Sequence, residues 1–125
     1  MDKFQAIFEI LCCLSAADGE VHPNEVDVIN NFLNANFGKI NFNPKSVASS
    51  LGSLTYQGLM DEMVRAAIVF KNTSTAKDRT TVLDFALDLI AADGIITKEE
   101  SILFFALGNS WDIDMKRYLA SKGIK

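Results

Sequence analysis

The sequence predicts an all-α fold: a single-domain bundle of about seven helices with an internal helix-turn-helix repeat. Three observations predict it. Apolar residues recur at three- and four-residue spacing along most of the 125-residue chain. Each periodic run is bounded by the cap and stop residues that open and close helices. And one stretch occurs twice: Ala16-Ala17-Asp18-Gly19-Glu20-Val21-His22-Pro23-Asn24-Glu25 returns 75 positions later (93 − 18) as Ala91-Ala92-Asp93-Gly94-Ile95-Ile96-Thr97-Lys98-Glu99-Glu100. Both copies lie between two helical runs, so each reads as a tight corner joining antiparallel helices. The repeat copies span about 4–37 and 76–107, within one domain covering 1–125.

The elements follow in order. Phe4, Ile7, Phe8, Leu11 and Leu14 mark an amphipathic helix from about Asp2 to Ala16, stopped by Gly19. His22 is placed to cap the next, with Pro23 at its first position, where a missing N–H costs nothing, and Glu25 at its third. Its apolar stripe is Val28, Ile29, Phe32 and Leu33, and Gly38 ends it. Asn43-Pro44 opens a shorter third helix through Val47 and Leu51 to Gly52. Thr55 caps a fourth, in which Leu59, Met63, Ala66, Ala67 and Phe70 share one face.

The tract Asn72-Thr73-Ser74-Thr75 reads as the loop between the two repeat-bearing halves. Thr75 and Asp78 then form a capping box for a fifth helix through Val82, Phe85, Ala86, Leu89 and Ile90. Thr97 and Glu100 form another for the sixth, expected to end at Gly108, and a last helix is expected from near Asp112 to Gly123. Helix two is polar at Asp27 and Asn30, where helix six has Ile102 and Phe105, so helix six is apolar all round and needs cover on an extra side. Either the final segment with Trp111 and Tyr118 supplies it, or a partner surface does.

Composition narrows the function. With 49% hydrophobic and 22% charged residues the chain is an ordinary globule, long enough to hold a core without disulfides. Cys12 and Cys13 are adjacent and diverge by about 100° on a helix, so they read as small hydrophobes and not as a redox or zinc pair. A net charge of −4 argues against nucleic acid and favours a cationic partner. No apolar run is long enough for direct membrane insertion, and the start Met1-Asp2-Lys3-Phe4 lacks the features of a signal peptide, which predicts a cytoplasmic protein.

The corner pattern Asp-Gly-x-aliphatic-x-x-x-Glu matches the second half of an EF-hand loop. In that register the first two ligand positions fall on Leu14 and Ala16, and on Leu89 and Ala91, none of which has a side-chain oxygen. An ordinary EF-hand is thereby excluded. Two readings of Asp18, Glu25, Asp93 and Glu100 stay open. In one they cap helices and brace turns, at about 1 kcal/mol per cap. In the other, with neighbours such as Glu20, Glu99, Asp84 or Asp88, they bind a divalent cation. Asp84 and Asp88, four apart on one helix face, otherwise read as solvated surface. The single histidine, His22, is more economically a cap than a catalyst, and no nucleophile and base pair, phosphate loop or metalloprotease motif is present, so no enzyme is expected.

On these residues the chain resembles the TerB-like tellurite-resistance family, whose fold also occurs at the start of DjlA-type co-chaperones. The likeness is carried by Ala-Asp-Gly-x-aliphatic-x-x-x-Glu after helix one and again late in the domain, strongest over residues 7–33 and 85–107. The resemblance implies a bundle of paired helices, a role in bacterial tellurite or envelope stress, and protein partners among other components of those responses. It also implies a divalent metal, calcium, magnesium or manganese, held by Asp18, Glu25, Asp93 and Glu100. A homodimer is compatible with it.

Overall fold

Ten consecutive residues of the first helix, Ala6 to Ser15, are buried, and the other helices are laid around them. The computed structural model describes residues 1–19, 21–92 and 94–123, except the side chain of Asp18. Among the described residues there is no strand. The order is α1 (Lys3–Ser15), a 3₁₀ turn (Ala16–Asp18), α2 (Pro23–Asn36), α3 (Pro44–Gly52), α4 (Tyr56–Thr73), α5 (Ala76–Ile90), α6 (Lys98–Ser110) and α7 (Met115–Ser121). The all-α, single-domain, seven-helix prediction holds.

α1 is the central post. It packs most extensively on α4, and also touches α2, α3, α5 and α6. Its residues Ala6, Ile7, Phe8, Ile10, Leu11, Cys12, Cys13 and Leu14 are apolar on every side, which is what a helix surrounded by others requires. The expected amphipathic stripe is therefore too narrow a description. Both thiols are buried and unpaired with one another, as small hydrophobes. Burial raises the pKa of each, so neither is a reactive thiolate.

Local chemistry sets most helix boundaries. Asp2, Asn43, Thr55, Thr75, Thr97 and Asp114 each accept a backbone N–H at the helix they precede. The face predicted for α4, from Leu59 to Phe70, is buried at all five positions. Aromatic rings close the seams between helices. Phe32 of α2 stacks on Phe85 of α5 with centroids 4.0 Å apart, and Phe70 of α4 meets Phe37 on one side and Trp111 on the other.

Four expectations need correction. In α2 the buried set is Val26, Ile29 and Leu33, while Val28 stays 47% exposed, because it lies over a cleft and not over α1. The loop expected over Asn72–Thr75 shrinks to Ser74 and Thr75. Thr73 Oγ1 bonds the Val69 carbonyl and Ser74 Oγ the Phe70 carbonyl, while Arg79 Nη1 donates to the Lys71 and Ser74 carbonyls, so the last turn of α4 is held by side chains. α6 runs past Gly108 to Ser110, with that glycine buried inside the helix. And α7 starts at Met115, not near Asp112, whose φ of +57° breaks the chain direction first.

Candidate functional site

The two corners are built alike down to individual hydrogen bonds. After α1, Gly19 takes φ +112° and its N–H donates to the Ala16 carbonyl at 2.8 Å. After α5, Gly94 takes φ +83° and its N–H donates to the Ala91 carbonyl at 2.9 Å. These are equivalent positions of the repeat, and each needs the left-handed conformation that glycine adopts without strain. The following helices are closed the same way. Glu25 Oε1 accepts from the His22 N–H at 3.3 Å, and Glu100 Oε1 accepts from the Thr97 N–H at 2.9 Å. Thr97 Oγ1 in turn accepts from the Glu100 N–H at 3.1 Å, completing the predicted box.

Folding brings the corners together. One cleft of about 380 Å³ is lined by Ser15, His22, Asn24 and Glu25 from the first copy and by Glu100 from the second. Its floor and sides are Val28, Leu89, Ile90 and Ala92. Glu25 and Glu100 are equivalent residues of the repeat, both half-buried, and both look onto this space. Ser15 is 6% exposed, and its Oγ is buried without a hydrogen-bond partner. The matching position in the second copy is Ile90, which lines the same cleft.

Of the four acidic residues expected to share a ligand, the structure therefore brings two to one cleft, and these two also cap helices. Asp93 and the side chain of Asp18 lie outside the described residues, as does Glu20. Among the described residues no group of three or more histidine, cysteine or acidic side chains is arranged to hold a metal. Two carboxylates fall well short of the six to eight oxygens that calcium takes, so the described residues do not by themselves fit a divalent cation.

The other candidate neighbours are engaged elsewhere or exposed. Asp84 Oδ1 accepts from the Tyr118 hydroxyl at 2.6 Å and pairs with Lys122 at 2.9 Å, tying α7 to α5. Burial first, and the Asp84 carboxylate next, push the Tyr118 phenol well above its usual range. Asp88 is exposed. Glu99 contributes its carbonyl, which accepts from the Tyr56 hydroxyl at 2.8 Å and fastens the start of α6 to α4.

A second acidic group escaped the sequence reading. Glu9 is 4% exposed in the middle of α1, and its Oε2 accepts from Gln5 Nε2 at 2.9 Å. Across from it on α4 stand Glu62 and Arg65, themselves joined at 2.7 Å, in a cleft of about 320 Å³ that Ser46 and Ser50 of α3 close. Burial raises the Glu9 pKa; the Gln5 hydrogen bond lowers it, and the Glu62 charge raises it further. The signal was there to be read: Glu9 is the one charge in a run that is otherwise apolar on all sides.

A larger groove, about 460 Å³, opens beside the first corner between α2 and α3, walled by Val21, Pro23, Val26 and Ala48. Among the described residues of its lining, Lys45 is the one that carries a charge. Compared with known proteins, the chain matches no family model, and no curated protein or solved structure is significantly similar to it.

Proposed function

We propose that this chain is a non-enzymatic binding module resembling the TerB-like proteins, acting in the cytoplasm in a bacterial response to tellurite or other chemical stress. Its working site is the cleft that the two acidic corners share, and its target there is a protein partner. One observation carries this reading: Glu25 and Glu100, equivalent residues of the repeat, line a single cleft. Capping alone requires each glutamate to serve its own helix, and does not require the two to meet.

The test is complementation of a strain that lacks the gene. The wild-type chain is expected to restore tolerance to tellurite, and a chain with both Glu25→Gln and Glu100→Gln is expected to fail while remaining folded at the growth temperature. Equal tolerance with and without the gene would remove the stress role. The divalent cation implied by the resemblance is tested separately, by melting the protein in calcium, magnesium and manganese. A site on the folded state raises the melting temperature with ion concentration. A flat response at millimolar ion removes the cation and leaves the partner site standing.

A second reading, an interaction domain that works through α6, has its own support. Ile102 is 42% and Phe105 37% exposed, because α7 covers the Phe104 side of the helix and not theirs. If that flank joins two copies, Ile102→Glu with Phe105→Glu lowers the mass in solution. A monomer at all concentrations removes the homodimer.

A further inference from the structure

We propose that the cleft between the corners is a socket for one alkylammonium group, the end of a lysine side chain or of a polyamine. The inference rests on the reading of the corners as the working site, and names the chemistry they take. An alkylammonium carries three N–H donors on a compact charge. Among the described residues the cleft is lined by four oxygen-bearing side chains, Ser15, Asn24, Glu25 and Glu100, of which the two carboxylates and the serine are the acceptors assigned to it. Each glutamate spends one oxygen on its helix cap, and among the described residues the other has no hydrogen-bond or ion-pair partner.

Ser15 is the independent sign of a ligand. A buried helical serine ordinarily turns its hydroxyl back onto the carbonyl four residues earlier. Ser15 makes no such bond, and a buried hydroxyl left unpaired destabilises the fold. The other copy of the repeat has Ile90 at this position, so packing does not call for a hydroxyl there. The Ser15 Oγ is closed to solvent in the free chain, and a turn about Cα–Cβ that brings it into the cleft would let an ammonium give it a donor.

The rest of the lining suits the stem of such a group and not a bare ion. Val28, Leu89, Ile90 and Ala92 present apolar surface along which a methylene chain lies while its charged end reaches the carboxylates. A divalent metal needs about twice as many oxygens and gains nothing from those walls. A guanidinium brings five donors in a plane and would leave some unmet. A volume of about 380 Å³ falls at the small end of ligand cavities, fitting one side chain. The last turns of α1 and α5 end at the cleft with Ser15 and Ile90, and helix C-termini favour positive charge. The opposing N-terminal ends of α2 and α6 are already met by the two glutamate caps.

The experiment is a set of titrations of the full chain followed by ¹⁵N–¹H spectra. The probes are Nα-acetyl-lysine amide, its uncharged counterpart Nα-acetyl-norleucine amide, and spermidine. Capped lysine is expected to shift the amides of Ser15, Glu25, Ala92 and Glu100, and capped norleucine is not. Glu25→Gln and Glu100→Gln, which keep a cap acceptor, should each weaken capped lysine about threefold to fivefold. Ser15→Ala should weaken it about threefold while raising the melting temperature, a combination that a packing role would not produce. Tighter binding of capped lysine than of spermidine identifies a partner's side chain as the source, and the reverse identifies a soluble polyamine. Equal response to lysine and norleucine overturns the proposal, as does no response at these amides to either amine. In that last case complementation separates two failures: lost tolerance in the chain with both Glu25→Gln and Glu100→Gln keeps the corners as a working site for another ligand, and full tolerance takes the corner reading down too.

Discussion

Met115 occupies the space a side chain on Gly108 would need: a Cβ built there would stand 1.9 Å from the Met115 sulfur and 2.8 Å from its Cγ. Both residues are buried, at the seam where α6 hands the chain to α7. The glycine inside α6 is there for close approach, not to stop the helix.

Gly108→Ala sets two effects against each other. Alanine favours an exposed helix interior by about 1 kcal/mol over glycine, whereas overpacking a buried seam costs about 1–3 kcal/mol. We expect net destabilisation, read as a lower urea midpoint. The same substitution in a Met115→Ala background should change sign and stabilise, since the clash is gone and the helix preference remains. Destabilisation of similar size in both backgrounds would refute the contact as the cause.

Tyr118→Phe removes the hydroxyl that donates to Asp84 at 2.6 Å, leaving that carboxylate with Lys122 alone. A hydrogen bond to a charged acceptor is worth about 1.5–3 kcal/mol, and partial exposure of the pair places the expected loss at the lower end. Amide exchange in α7 should quicken more than in α1, because the bond anchors the last helix alone. Uniform quickening would point to global loss instead.

Glu9→Gln tests the buried carboxyl through pH. In the folded chain Glu9 keeps its proton to a higher pH than the ordinary value of 4.5, which the unfolded chain follows. Between those two values the folded state holds more protons than the unfolded one, so stability falls as pH rises, and the loss is complete above the folded value. Glutamine is neutral throughout and keeps an acceptor for Gln5. The variant should melt higher than the wild type at pH 8, with the gap closing as pH falls below 4.5. A gap independent of pH would show that Glu9 ionisation does not carry it.

Glu100→Ala and Glu100→Gln separate capping from charge. Alanine removes the acceptor of the Thr97 N–H and should cost about 1 kcal/mol in thermal unfolding; glutamine retains it and should cost less than half as much. Equal losses would mean that the charge, not the cap, supports α6.

Helix number, type and every starting point but that of α7 were legible from local chemistry, because a cap acts within three residues of itself. Thr97 with Glu100, Thr75 with Asp78, and Gly19 with Gly94 could each be placed without knowing what lay across the bundle. Inside and outside were not so local. That α1 is enclosed, that Glu9 is buried within it, and that Val28 is left over a cleft depend on which helices surround each one. Gly108 read as a stop because spacing alone does not show the chain turning back after α6 to lay Met115 against it. The repeat announced two equivalent corners, but only packing set Glu25, Glu100 and the unpartnered Ser15 around one space. The reason is range: turns and caps are settled by neighbours in the chain, whereas burial and convergence are settled by residues dozens of positions away.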